Sequence, residues 1–201
     1  MPRLQQSFYT RPDVLQISRE LPGKFLVTNM DGIKTSGMIT EVEAYAGIID
    51  KASHAYNGRR TKRTEVMFGA GGTAYVYLCY GIHQLFNIVT NESDTPHAIL
   101  IRSIEPAEGV DEMLLRRNKL KIDYTLTKGP GSVSKALGIK TQHSGISLSG
   151  NTIWLEDRKV KFSSREIIAT TRVGVDYAGD AAHWLYRFFV KGNPWVSRIP
   201  K

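Results

Sequence analysis

Two carboxylates and a tyrosine occupy alternate positions in Met38-Ile39-Thr40-Glu41-Val42-Glu43-Ala44-Tyr45. In an extended chain that spacing puts Glu41, Glu43 and Tyr45 on one face. One carboxylate could then work as a general base beside an aromatic wall. Both together could form the acid–base pair of a glycoside hydrolase, because positions i and i+2 lie ~7 Å apart, within the range of inverting enzymes. A solvated face is the third reading of the same pattern. His54 follows in a basic stretch, where an isolated imidazole is structural more often than catalytic.

Tyr75, Tyr77 and Tyr80 crowd a second segment. Tyrosine is a good strand residue, which accounts for the first two without further function. Tyr80 stands at a turn with Gly81 and Ile82, where a core aromatic has little to pack against. An aromatic and an aliphatic at a protruding tip are what a wedge between stacked bases requires. Arg59, Arg60, Lys62 and Arg63 precede these aromatics and Arg102 follows them. Such cations form solvated surface or, interleaved with aromatics, the phosphate contacts and stacking platforms of nucleic-acid binders. Lys128-Gly129-Pro130-Gly131-Ser132 adds a glycine-rich helix start whose backbone N–H groups suit a phosphate. It lacks the spacing of a Walker loop.

These residues need elements to position them. Arg11-Pro12-Asp13 opens a helix with Leu15, Ile17 and Leu21 as its apolar positions, and Pro22-Gly23 ends it. Residues 24–29 and 33–45 read as strands joined around Asp31-Gly32. Residues 46–72 carry no periodicity and form a long, structured, basic loop, a kind of segment that is usually functional. Strands over 73–80 and 84–90 flank the tight reversal at Tyr80-Gly81-Ile82-His83. A further strand runs over 97–104, and Glu105-Pro106-Ala107-Glu108 starts a helix that Arg116, Arg117, Lys119 and Lys121 close. A short helix begins at Gly129-Pro130 and stops at Gly138. Strands near 153–156, 167–173 and 185–190 complete an α+β pattern of hairpins rather than βαβ units, with no repeat and no linker.

The chain has 201 residues, 41% of them hydrophobic, which is ordinary globular usage and enough for one core. Twenty-seven Lys and Arg against 19 Asp and Glu leave a net charge of +8. That excess favours a polyanionic partner. The lone cysteine, Cys79, excludes an internal disulfide and a Cys-rich zinc site. The five histidines lack metal-ligand spacing, so no metal is expected. No stretch approaches ~20 apolar residues and no apolar leader follows Met1, so a reducing, non-membrane setting is expected.

Taken together, the blocks resemble the alkyladenine (3-methyladenine) DNA glycosylase family, the vertebrate-type single-domain enzymes also found in bacteria. They are Glu41-Val-Glu-Ala-Tyr45, Ala52-Ser-His54, Met67-Phe68, Gly72-Thr-Ala-Tyr-Val-Tyr77, Tyr80-Gly81, Asn87-Ile88, Arg102-Ser-Ile-Glu-Pro106, Gly129-Pro130, Arg172-Val-Gly-Val175 and Arg187-Phe-Phe-Val-Lys-Gly-Asn-Pro-Trp-Val-Ser197. The resemblance runs from about residue 15 to 197. It implies a single domain over 1–201, with a curved, mainly antiparallel sheet flanked by helices and a protruding hairpin. It further implies Glu43 as the general base for a water attacking C1′, with Tyr45 and His54 on one side of the base pocket and Tyr77 stacking on the other. Asn87 would crowd the 2-amino group of guanine. Tyr80, with Ile82 beside it, would be the wedge that fills the gap left by the flipped base. Arg102 would contact the DNA backbone, as would Arg59, Arg63, Gly131 and Ser132.

The implied activity is monofunctional excision of 3-methyladenine, 7-methylguanine, hypoxanthine and ethenoadenine from double-stranded DNA. It needs no cofactor, and a monomer in the cytoplasm, at the nucleoid, would perform it. The chain departs from the family pattern at three points. Gly131-Ser132-Val133-Ser134 stands where vertebrate members carry a lysine soon after the proline, Ile82 replaces a methionine, and the long vertebrate N-terminal tail is absent. No lysine matches a Schiff-base nucleophile, so strand cleavage is not expected. A non-enzymatic binder of distorted nucleic acid and the two-carboxylate glycosidase are the rival readings.

Overall fold

In the computed structural model, which describes residues 2–197, a four-residue helix, α1 (Gln6–Tyr9), precedes α2 (Val14–Glu20). The Asp13 side chain caps α2, accepting from the N–H groups of Leu15 and Gln16. Ile17 and Leu21 turn inward to the core. The ends of the 1–201 domain reading, Met1 and residues 198–201, lie outside the described residues.

The strands are β1 (Phe25–Met30), β2 (Ile33–Tyr45), β3 (Ala74–Cys79), β4 (His83–Thr90), β5 (His97–Glu108), β6 (Ile153–Glu156), β7 (Ile167–Thr170) and β8 (Arg187–Val190). They form one curled, eight-stranded sheet in the order β3-β4-β5-β2-β1-β6, with β8 joining β2 to β7. Every pairing among the described strands is antiparallel, as the hairpin pattern predicts. Two short helices, α3 (Val110–Arg117) and α4 (Pro130–Ala136), complete the α+β architecture. Met113, Val133 and Leu137 join Ile39, Val42, Ile101 and Phe188 in the main core.

The long strand β2 organises the molecule. Residues 33–38 pair with β1, and Glu41, Val42 and Glu43 pair with β8 on the same edge. From Ser36 to Tyr45 it runs beside β5, with register shifts after Ser36 and around Glu41. Thr40, Glu41, Val42 and Glu43 are all fully buried, so neither face is solvated there. That removes the solvated-face reading of the carboxylates.

The expected helix start at Glu105 does not form. β5 continues through Glu108, and Pro106 stands opposite Gly37 at a register shift where a ladder N–H is dispensable. A Cβ on Gly37 would lie 2.8 Å from the Glu105 carbonyl oxygen, so only glycine fits that approach. The chain turns at Gly109 (φ +68°), and α3 then begins with Asp111 and Glu112 in its first turn.

The aperiodic 46–72 segment is ordered by three single 3₁₀ turns and by packing. Ala55, Met67 and Phe68 form a second cluster with Tyr75, Val89 and Ala98, and Ala52 packs on Val175, Ala178 and Ala181. No helix of the described residues is long and apolar enough to cross a membrane.

Candidate active site

β2 delivers Glu43 to the floor of a cavity of about 580 Å³, where its side chain is fully buried. Both carboxylate oxygens have partners. The Val173 N–H donates to Oε1 at 2.7 Å, and the Tyr45 hydroxyl donates to Oε2 at 3.0 Å. Arg102 Nη1 lies 3.3 Å from Oε2. Burial, then the charge of Glu43, pushes the Tyr45 phenol well above its ordinary range, so it stays a donor.

Glu41, two residues earlier, is saturated. It accepts from Arg102 Nε (2.9 Å), Ser103 Oγ (2.9 Å), Arg187 Nε (2.7 Å), Ser197 N–H (2.6 Å) and Ser197 Oγ (2.9 Å). Burial raises its pKa, but Arg102, Arg187 and the Ser197 bonds outweigh it and hold the carboxyl below the ordinary range. A carboxylate so held does not cycle as an acid, which removes the two-carboxylate glycosidase reading.

Arg102 was expected against DNA backbone and stands elsewhere. It is 8% exposed, with its guanidinium shared among Glu41, Glu43 and Ser197 Oγ along the cavity wall. Burial opposes its charge, and Glu43 and Glu41 more than restore it.

The aromatic walls come from β3 and the 46–72 segment. Tyr75 and Tyr77 share a face of β3, their ring centroids 5.5 Å apart. His54 Nδ1 lies 2.8 Å from the Tyr75 hydroxyl, and its ring meets the Tyr77 ring edge-on at 4.6 Å. That contact leaves no room for a base between His54 and Tyr77. Burial, then Arg63 and Arg59, pushes the His54 pKa down to about 4, so the ring is neutral near pH 7. In the tautomer in which the Tyr75 phenol donates to Nδ1, Nε2 carries the ring's hydrogen. Asn87 on β4 donates from Nδ2 to the carbonyls of Tyr75 (3.1 Å) and Leu85 (3.3 Å). Both amide hydrogens are thereby committed, and Oδ1 is the atom left for the cavity it lines.

The family model of methylpurine-DNA glycosylase (MPG) matches residues 7–194. The chain belongs to the methylpurine-DNA glycosylase family. A Bacillus cereus (strain G9842) protein named "Putative 3-methyladenine DNA glycosylase" is 47% identical over 201 residues, covering 96% of this chain and 97% of its own length. A protein of the same name from Bacillus thuringiensis (strain Al Hakam) is 47% identical over 200 residues, with the same coverage.

In this methylpurine-DNA glycosylase family member the β3–β4 turn stands clear of the body. Tyr80 is 90% exposed and Ile82 73% exposed, and Tyr80 adopts a left-handed φ of +50° that aims it away from the ladder. Gly131 and Ser132 lie at the start of α4 and border the same cavity. Gly131 packs so closely on His83 that a Cβ would sit 2.9 Å from Nδ1, and Ser132 Oγ accepts from Arg117 Nη2 at 3.0 Å. Arg59, Lys62 and Arg63 are exposed, with Arg63 6.0 Å from the Tyr77 ring centroid. Arg60 is committed to Glu65 and Asp94.

Glu43, Tyr45, His54, Tyr77 and Asn87 thus surround one cavity, with Tyr80 at its rim, while Arg59 and Ile82 do not border it. Two partners escaped the reading of the sequence. The Val173 amide and the Tyr75 phenol lie within segments singled out there, but nothing local marks them as ligands of Glu43 and His54. Among the described residues no cluster of His, Cys, Asp and Glu could hold a metal ion.

Proposed function

We propose that the chain is a monofunctional DNA glycosylase that removes damaged purines from double-stranded DNA. The observation that carries this reading is a buried carboxylate, Glu43, at the floor of an aromatic cavity beside an exposed Tyr80–Ile82 tip. Chemistry on a base requires the nucleotide to leave the stack, and the tip supplies a wedge for the gap. The extruded purine stacks on the tyrosine walls, and a cationic alkylpurine gains about 1–2 kcal/mol there from cation–π attraction. Its charge also makes it a good leaving group.

Glu43 takes a proton from a water whose oxygen bonds to C1′. The C1′–N9 bond breaks with its electron pair passing to the purine, and an abasic site remains. Arg102, 3.3 Å from Glu43, supplies positive charge beside the carboxylate. The neutral His54 offers its Nε2 hydrogen to an acceptor nitrogen or oxygen on the purine, and Asn87 stands against the 2-amino group of guanine. The substrates are 3-methyladenine, 7-methylguanine, hypoxanthine and ethenoadenine, and the enzyme acts as a monomer at the bacterial nucleoid. Exposed Arg59 and Arg63 bind backbone phosphates.

The test is single-turnover excision on duplexes carrying each lesion, with Glu43→Gln alongside. The amide keeps the shape but cannot take the proton, so the rate should fall ~10²–10⁴-fold with lesion binding nearly intact. A variant cutting at more than a tenth of the wild-type rate would remove Glu43 from the role. A wild-type chain that binds lesion duplex and releases no base would leave only a binder of distorted DNA.

A further inference from the structure

Beneath the cavity lies an ion pair that the proposed reaction does not use. Arg172 and Asp50 are both fully buried and meet in a two-point contact, Nη1 to Oδ2 and Nη2 to Oδ1. Arg172 also donates to the carbonyls of Ala44 (2.9 Å) and Ala181 (3.0 Å). Asp50 accepts from the N–H groups of Ala46 (3.1 Å) and Ala52 (3.0 Å). The end of β2, the turn after it and the segment following β7 are thereby tied at one point.

A buried pair of this kind is often no more stabilising than apolar residues of the same volume, so stability alone is a poor account of it. What it supplies is direction. The Arg172 guanidinium lies 4.8 Å from the centroid of the Tyr45 ring, and the Tyr45 hydroxyl donates to Glu43 Oε2. The residue after Arg172 is Val173, whose N–H donates to Glu43 Oε1. Each carboxylate oxygen is therefore held by a group whose place Arg172 fixes.

We propose that Arg172, paired with Asp50, is a positioning residue of the glycosylase reaction, holding the Tyr45 phenol and the Val173 amide so that together they orient the Glu43 carboxylate. This rests on the reading of Glu43 as the general base. A base out of place by about 1 Å loses on the order of 10²-fold in rate, which is the scale at stake. Other groups also face Glu43: Arg102 on β5, Tyr77 on β3, Arg187 opposite on β8 and Glu41 along its own strand. None of them is altered in the variants below.

Arg172→Lys keeps the charge and loses the two-point contact. Tyr45→Phe keeps the ring and loses only the phenol. Single-turnover excision of hypoxanthine from duplex is followed well below each variant's thermal midpoint, together with the Kd for the lesion duplex and the thermal midpoint. Arg172→Lys should lower the plateau rate ~10–100-fold with Kd within about threefold. Tyr45→Phe should likewise lower the plateau rate about tenfold with Kd within about threefold, the worth of one hydrogen bond to a charged group. If Arg172→Lys does not fold, Asp50→Asn replaces it, and Tyr45→Phe gives the rate on an intact fold. Wild-type rates in the folded variants, or rates that fall only as the thermal midpoint falls, would overturn the proposal. Glu43→Gln separates the two failures. Activity retained there defeats the general-base reading, whereas a dead Glu43→Gln beside unaffected Arg172 and Tyr45 variants defeats only the positioning role.

Discussion

His54 offers the sharpest quantitative check, because its environment turns pH into stability. Burial, with help from Arg63 and Arg59, takes its pKa from 6.5 to about 4 in the folded chain. As pH falls below 6.5 the unfolded chain binds a proton at this position and the folded chain does not until about 4. Stability is therefore complete above pH 6.5 and drains away between 6.5 and 4. At about 1.4 kcal/mol per pH unit the whole window is worth up to about 3 kcal/mol, and the part between pH 7 and 5 about 2 kcal/mol. His97 and His143 are lowered too, chiefly by burial, so the wild-type slope alone is not diagnostic. The difference between wild type and His54→Gln isolates the one residue, since Gln keeps a partner for the Tyr75 hydroxyl and does not titrate. Urea denaturation of both chains at pH 7, 6 and 5 measures it. The wild-type curve should fall toward the variant's by about 2 kcal/mol across that range, and two parallel curves would refute the burial argument. Excision should show no limb from His54 between pH 5 and 8.

Tyr80→Ala should leave the thermal midpoint unchanged, because the side chain is 90% exposed. It should weaken lesion binding by roughly 1–3 kcal/mol, most in fully paired duplex, and equal losses on paired and mispaired lesions would count against a wedge. Neutralising exposed Arg59 or Arg63 should lower affinity for all sequences alike and reduce the slope of log K against log salt by about 0.9 per phosphate contact, so an unchanged slope would make them plain surface. Asn87→Ser breaks the bonds to the Tyr75 and Leu85 carbonyls and should cost about 1–3 kcal/mol of stability. It should also raise the ratio of guanine to hypoxanthine excision, and a parallel fall in both rates would leave Asn87 as a hairpin tie alone.

What the sequence made legible was local. Alternation marked β2, strand-forming residues marked β3 and β4, the Tyr80 turn announced its own exposure, and Asp13 and Gly138 marked helix ends. Because β2, β5, β4 and β3 are neighbours, residues chosen strand by strand came together round one cavity. Three things were hidden. Pro106 looked like a helix start because nothing near it shows that Gly37 will pair with it across the sheet. Arg102 looked like a surface cation because a guanidinium reads the same whether it faces phosphate or the buried carboxylates Glu41 and Glu43. The Arg172–Asp50 clamp joins positions 122 residues apart, beyond the reach of any pattern of period 2 or 3.6.

That reach has a consequence for the life of the chain. Glu41 and Glu43 are made early, yet the groups that orient them, Val173, Arg187 and Ser197, follow 130, 146 and 156 positions later. A polypeptide still emerging from the ribosome holds two carboxylates on β2 with no β8 beside them and no Ser197 to saturate Glu41. Contacts so distant in sequence also slow folding, since loop closure must come before they can form. Competence for the chemistry then arrives only after Ser197 has been made. A partly made chain carries its exposed cations and Tyr80 tip beside a Glu43 that still lacks its Val173 partner.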